Sequence, residues 1–262
     1  VIESADMISS TRQNQILEIL QEQGECKIAF LAEKFGTSEM TVRRDLQDLS
    51  DHGRVIRTHG GARLASGVNF EFTFLQRTKL AQREKQAIGK LAADLVKEGQ
   101  SVLLDSGTTT LAIADHLKLR RNIKVVTTSL PIASMLQFNE TIEINLLGGQ
   151  LRAGAPDLCG AITLANLEMI RTDLAFIGTD AIDAEGAAYT DSADLAVMLT
   201  KIARAAAAAY VVADSSKLNR TAMWKLFPLN KVSGLITDHR APPAFVAQLV
   251  KLGIRVHRAP RV

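Results

Sequence analysis

The chain has 262 residues, 47% hydrophobic and 23% charged, an ordinary globular composition with room for a small domain and a larger one. No apolar run reaches the ~18–20 residues that cross a bilayer, no signal peptide opens the chain, and Cys26 and Cys159 are too few for a disulfide framework, so a cytoplasmic protein without membrane contact is expected. A net charge of +3 neither demands nor forbids a polyanionic partner.

In chain order, Val1 to Asp6 carry no pattern and read as a disordered extension or an added remnant, with Met7 as the native start. Thr11 can cap a helix that buries Ile16, Leu17, Ile19 and Leu20 and ends at Gly24. A second short helix runs from Ile28 to Phe35, and Gly36 makes the turn. Ser38 then caps a third helix, Glu39 to about His52, stopped by Gly53. Two short helices joined by a glycine turn make a helix-turn-helix.

At 100° per residue, Val42, Leu46 and Leu49 fall on one narrow stripe facing a core. Arg44 points away from it, flanked by Met40 and Gln47, with Thr41 and Arg43 at the edges. Such a face suits base edges and phosphates in a major groove. Residues 1–64 hold eight Lys/Arg against ten Asp/Glu, so it is the placement of the arginines, not net charge, that argues for DNA. Arg54 to Arg57 reads as a strand, Thr58 to Gly61 as a tight turn and Ala62 to Leu64 as the return strand. A hairpin here is a wing, and Arg57, His59 and Arg63 would lie beside the phosphate backbone.

The run SEMTVRRDLQDLSDHGRVIRTHGGA closely resembles the N-terminal signature of the DeoR-type family of bacterial transcriptional regulators. The resemblance implies that Ser38, Thr41, Arg43 and Arg44 contact operator DNA and that Arg57 to Gly61, with His59 and Gly60 at the tip, form the wing. The expected domains are therefore 7–64, a winged helix-turn-helix; 65–82, a linker and extended strap with Phe70, Phe72 and Phe74 at period two; and 83–262, an α/β domain.

From Arg83 the pattern alternates helix and strand. Helices are expected at Glu84–Lys97, Thr110–Leu117 and Ala244–Leu252. Strands are expected at Val102–Leu104, Ile123–Val126, Ile142–Leu147, Leu174–Ile177, Tyr210–Val212, Leu235–Ile236 and Ile254–Val256. This predicts a parallel sheet with helices on both faces, in which ligands bind beyond the C-terminal strand ends. Ala205 to Ala209 reads as helix, alanine being the best helix former, with no charged residue where a solvent face would want one.

The strand ends carry Asp105-Ser106-Gly107-Thr108-Thr109 before a helix, then Thr127-Thr128-Ser129, Gly148-Gly149 with Arg152, Gly178 with Asp180, and Asp214 with Lys217. Hydroxyls, helix N-termini and cations suit a phosphate; carboxylates such as Asp105 and Asp180 suit a polyol. Together they point to a small phosphorylated sugar. Neither GxxxxGK[ST] nor GxGxxG occurs, so a nucleotide is not expected. The five histidines sit at no metal-ligand spacing, and neither a metal nor a cofactor is expected.

DSGTTT, TTSL, LLGGQLR, FIGTDAID and VADSSK also resemble the effector domain of the DeoR-type family, so the resemblance runs from about residue 11 to 240. It implies a fold similar to ribose-5-phosphate isomerase and an effector pocket lined by Asp105 to Thr109, Thr127 to Ser129, Gly148, Gly149, Arg152, Gly178, Asp180 and Lys217. Many members carry Asn at Thr128 and Gly at Ala181. The reading is a repressor of carbohydrate catabolism, not an enzyme, acting on double-stranded operator DNA as a homo-oligomer, dimer or tetramer. The alternative is a sugar-phosphate isomerase with a DNA-binding head, in which Asp180 and Lys217 would move protons and stabilise charge.

Overall fold

The computed structural model describes residues 2–65, 74, 77–152 and 155–261; for residues 2–10 and Gln21 it describes the backbone alone. The chain divides into two compact units, one up to Gln76 and one from Arg77 onward apart from Ala153–Ala155.

The first unit contains α1 (Ile2–Gln23), β1 (Glu25–Lys27), α2 (Ile28–Phe35), α3 (Glu39–Asp51), β2 (Val55–Thr58) and β3 (Gly61–Leu64). Helix α1 begins upstream of the expected cap, so Thr11 lies inside it and residues 2–6 are helical. No glycine or proline interrupts residues 2–10, and Ser or Thr inside a helix costs only about 0.5 kcal/mol. Ile16, Leu17, Leu20, Leu31, Val42 and Leu46 form the core. Strand β1, too polar to announce itself, pairs with β3 and makes a three-stranded sheet of order β1-β3-β2. Gly61 permits this: a Cβ there would lie 2.3 Å from the Cys26 carbonyl oxygen.

The second unit is built on a seven-stranded sheet. Its elements are α4 (Gln82–Asp94), β4 (Ser101–Leu104), α5 (Thr108–Leu117), β5 (Ile123–Thr127), α6 (Leu130–Leu136), β6 (Ile142–Leu146), β7 (Gln150–Leu151), β8 (Leu158–Cys159), α7 (Ala161–Glu168), β9 (Thr172–Gly178), β10 (Ala181–Ile182), β11 (Ala187–Thr190), α8 (Ala193–Arg204), β12 (Ala206–Val212), β13 (Trp224–Pro228), β14 (Gly234–Thr237), α9 (Pro243–Lys251) and β15 (Val256–Arg258). The sheet order is β15-β14-β12-β9-β4-β5-β6, and its pairs are parallel. Alternation along β4 sends Val102 and Leu104 to one face, among Ile88, Ile113, Leu117 and Ile132 of α4, α5 and α6. Leu103 faces the other side, with Leu167 of α7 and Leu199 and Ile202 of α8. Both faces are thus covered, as the βα alternation requires.

Three expectations are corrected. Ala205–Ala209 is not helical: α8 ends at Arg204, and Ala206 opens β12 between β9 and β14. Alanine's helix advantage is at most about 0.7 kcal/mol per residue, less than is provided by the hydrogen-bonded ladder that sets Ala206, Ala208 and Ala209 opposite Thr172, Leu174 and Ala175 of β9, and the small side chains of Ala206 and Ala209 let α8 pack closely on the sheet. The last strand is Val256–Arg258, while Ile254 is buried ahead of it. Of the phenylalanine strap, Phe70 and Phe72 lie outside the described residues, and Phe74 is helical rather than extended.

Candidate functional site

In the first unit the Ser38 hydroxyl caps α3 by accepting the Thr41 N–H at 3.2 Å. Arg43, Arg44 and Gln47 are exposed on this helix. Arg43 reaches Glu39 at 3.3 Å. The Gln47 side chain donates to Asp51 at 2.7 Å and accepts a hydrogen bond from Arg57 on β2. Two expected DNA contacts from helix and wing are therefore joined to each other. His59 and Gly60 are exposed at the wing tip, where Gly60 at φ 84 supplies a turn that other residues resist. Sequence reasoning missed Arg12 and Asp45. Asp45 lies on the inner face of α3 and is buried, and Arg12 of α1 grips it through two nitrogens at 2.5 and 3.1 Å. A carboxylate beside the Val42–Leu46 stripe was the available signal, since a buried charge demands a partner.

In the second unit, strand pairing aligns the C-terminal ends of β4, β5, β9 and β12 along one edge. Asp105, at the end of β4, is buried. It accepts the Gly107 N–H at 2.8 Å, the Thr110 hydroxyl at 2.7 Å and the Gly178 N–H at 2.6 Å. Burial pushes its carboxyl above the usual range against these hydrogen bonds. The expected polyol ligand thus braces the β4 loop against the end of β9. A Cβ at Gly178 would stand 3.1 Å from Asp105 Oδ2, so a larger residue there would have to push that carboxylate back by a few tenths of an ångström.

The loop leads into α5, whose N-cap Gly107 gives no side-chain cap. The opening N–H groups of α5, at the buried Thr108 and Thr109, have no carbonyl within the helix to bond. Beyond β5, the Thr127 hydroxyl accepts the Ser129 N–H and Ser129 caps α6. The fully buried Thr128 hydroxyl has no hydrogen-bond partner. Arg152 is engaged by Asp157, whose two oxygens take its Nε and Nη2 at 2.8 Å each; the same carboxylate accepts the Ser106 hydroxyl. Asp157, fully buried and absent from the expected set, thereby joins the β4 loop to Arg152. Gly148 and Gly149 pack toward α7, the Gly148 carbonyl accepting the Thr163 hydroxyl at 2.8 Å.

The end of β9 holds the cation-rich part. Asp180 accepts Arg77 at 2.9 Å with one oxygen, and the Thr190 hydroxyl and Asp191 N–H at 2.9 and 3.1 Å with the other. Burial would raise its carboxyl, but Arg77, these hydrogen bonds and Lys217 together hold it below the ordinary value. Lys217 lies in a 3-10 turn, Ser215–Lys217, after β12. Lys85 of α4 is 6% exposed, and its ammonium donates to the Arg77 carbonyl. Burial pushes its pKa down to about 8, Asp214 opposing and Arg77 and Lys217 adding. Neither Arg77 nor Lys85 was read as a site residue; each is an ordinary charge in sequence, placed only by the fold. Three cations, Arg77, Lys85 and Lys217, thus face two carboxylates, Asp180 and Asp214.

The first unit and the second match separate family models: a DeoR-like helix-turn-helix domain over residues 12–68, and the DeoR C terminal sensor domain over residues 80–239. The chain belongs to the DeoR family of transcriptional regulators. This DeoR-family chain is 36% identical over 245 residues to an uncharacterized HTH-type transcriptional regulator, YgbI, of Escherichia coli K12, covering 94% of this chain and 96% of that one. It is 32% identical over 247 residues to the glycerol-3-phosphate regulon repressor of the same organism, covering 93% and 96%. Among solved structures it is similar to ribose 5-phosphate isomerase A from Methanocaldococcus jannaschii, 19% identical over 53% of this chain and 55% of that one, with a TM-score of 0.40. The matched helix-turn-helix begins at Arg12, the partner of Asp45, and the matched sensor domain holds the strand-end residues from Asp105 to Lys217. Among the described residues no helix is long and apolar enough to cross a membrane.

Proposed function

We propose that this DeoR-family regulator represses a carbohydrate-catabolism operon and that a small phosphorylated sugar controls its grip on operator DNA. The observation that carries the effector reading is the grouping of Arg77, Lys85 and Lys217 at the strand ends. Lys85 is buried against a neutral carbonyl, with Arg77 and Lys217 beside it, and the uncapped start of α5 lies on the same sheet edge. A buried ammonium hydrogen-bonded only to a neutral carbonyl, with Asp214 acting on it through charge alone, is costly, and a phosphate would add a charged acceptor while taking N–H donors from α5. Hydroxyls at Ser106, Thr108, Thr109 and Thr128, and the carboxylate of Asp180, are of the type that sorts one polyol from another. The glycerol-3-phosphate regulon repressor, one of the relatives, carries a phosphorylated compound in its name, which agrees in chemical class.

On the DNA side, Arg44, Arg43, Thr41 and Gln47 enter the major groove, while Arg57, His59 and Gly60 approach the phosphates. A dimer or tetramer would place such helices on repeated half-sites. The test is gel mobility of the duplex upstream of the gene encoding this chain, with and without a panel of sugar phosphates. A shifted band that one phosphosugar alters supports the reading. With Lys217→Ala the band should form and ignore the sugar; with Arg44→Ala it should weaken while sugar binding persists. Loss of both activities in both variants would defeat the two-site assignment.

A further inference from the structure

Arg77 is held twice, at opposite ends of one residue, by groups of the effector site. Its guanidinium lies on Asp180 at 2.9 Å, and its main-chain carbonyl accepts the Lys85 ammonium. The two holds come from different elements, Asp180 following β9 and Lys85 lying in the first turns of α4. Between Arg77 and α4, Ala81 sits at φ 50, the left-handed region that alanine avoids. The backbone here is kept against its local preference, as happens where surrounding contacts over-determine it. Arg77 is also the first residue of the second unit, the point at which the polypeptide coming from the wing arrives.

Both holds are of a kind that an anion competes for. A phosphate offers Lys85 an acceptor of opposite charge in place of a neutral carbonyl, adding a Coulombic attraction that the carbonyl lacks. It offers Arg77 a bidentate acceptor in place of one oxygen of a carboxylate whose other oxygen is already taken by Thr190 and Asp191. A ligand shifts a conformational equilibrium only through contacts that differ between the two states, and these two contacts differ.

We infer that Arg77 passes effector occupancy to the chain that enters the sensor unit: a phosphate-bearing ligand draws Lys85 off the Arg77 carbonyl and the Arg77 guanidinium off Asp180, so the segment carrying Arg77 is held differently in the empty and occupied states. The inference rests on the effector reading above and adds the means by which two distinct sites are coupled.

Hydrogen exchange of the full-length protein, followed by mass spectrometry on peptides covering residues 77–85, tests it with inorganic phosphate as the probe. Phosphate is used at a concentration that raises the melting temperature of the wild type. The expected result is a change in exchange of these peptides on adding phosphate. In Arg77→Ala, compared at a phosphate concentration raised until its melting temperature climbs as far as the wild type's, the exchange difference should shrink, because the hold on Asp180 is gone and only the Lys85 hold on the main-chain carbonyl is left to change. Asp180→Asn, which loosens one hold without touching the cations, should move the phosphate-free protein toward the phosphate-bound pattern. A wild type that is stabilised by phosphate without any change in exchange overturns the inference alone, as does an Arg77→Ala variant with the full wild-type difference. A wild type whose melting temperature responds neither to phosphate nor to any sugar phosphate overturns the effector reading and the inference with it.

Discussion

The Asp105 carboxylate accepts the Gly178 N–H across 2.6 Å, tying the loop after β4 to the end of β9. The Gly107 N–H and the Thr110 hydroxyl converge on its other oxygen, so the two oxygens between them serve three donors. Asp105→Asn replaces one oxygen with a donor that must face an N–H. The expected loss is about 1–3 kcal/mol, the penalty of leaving a buried donor unmatched, read from urea unfolding at neutral pH. Unchanged stability would mean that the loop does not depend on this brace.

Lys85 gives the sensor unit a pH dependence of defined sign. Its folded-state pKa is lowered to about 8, whereas in the unfolded chain a lysine keeps its proton until about pH 10.4. Between those values the unfolded state binds more protons, so this group's contribution to stability rises as pH increases. Lys85→Met should remove that rise. Melting temperatures of wild type and variant at pH 7.5 and 9.5 compare the slopes directly, and equal slopes would place the lysine in water rather than in the site.

Arg44 is exposed on α3, away from the core stripe of Val42, Leu46 and Leu49. Arg44→Ala should leave stability within about 0.5 kcal/mol. It should weaken binding to the upstream duplex by about ten- to a hundredfold, the usual effect of losing one base-reading arginine. Fluorescence anisotropy checks both affinity and salt dependence; an affinity equal to wild type would remove Arg44 from the interface.

Gly61→Ala puts a methyl group 2.3 Å from the Cys26 carbonyl oxygen, where β3 meets β1. Overpacking of this kind costs about 1–3 kcal/mol. The first unit should loosen and DNA binding fall, while stabilisation of the sensor unit by sugar phosphate persists. A variant that binds DNA as well as the wild type would show that β1 is dispensable to the wing.

Much of this architecture was legible from local pattern. Val42, Leu46 and Leu49 announced the buried face of α3, and Gly36 and Gly53 its surroundings, because an amphipathic helix writes its period into the sequence. The parallel sheet followed from hydrophobic runs such as Val102–Leu104 alternating with helical stretches. The alanine half of strand β12 was hidden because alanine's intrinsic preference is helical, and only pairing with β9 overrides it. Strand β1, Glu25-Cys26-Lys27, was hidden because backbone pairing with β3, not side-chain pattern, makes it a strand. The candidate site divides the same way. Hydroxyl and glycine loops at strand ends could be read directly, but Lys85, Arg77 and Asp157 are single charges whose partners lie elsewhere in the chain. Asp157 also changes the reading of Arg152, which is engaged by a carboxylate of its own chain.

The most direct test of the central claim is a thermal-shift panel of phosphorylated sugars, each beside its unphosphorylated counterpart. A ligand that binds only the folded state raises the melting temperature, with a gain of about 2.7 kcal/mol at a hundredfold excess over Kd. A rise is expected with one phosphosugar, none with its unphosphorylated form, and loss of that rise in Lys217→Ala. A rise with the unphosphorylated sugar, or an undiminished rise in Lys217→Ala, would contradict a phosphate held by the cations at the ends of β9 and β12.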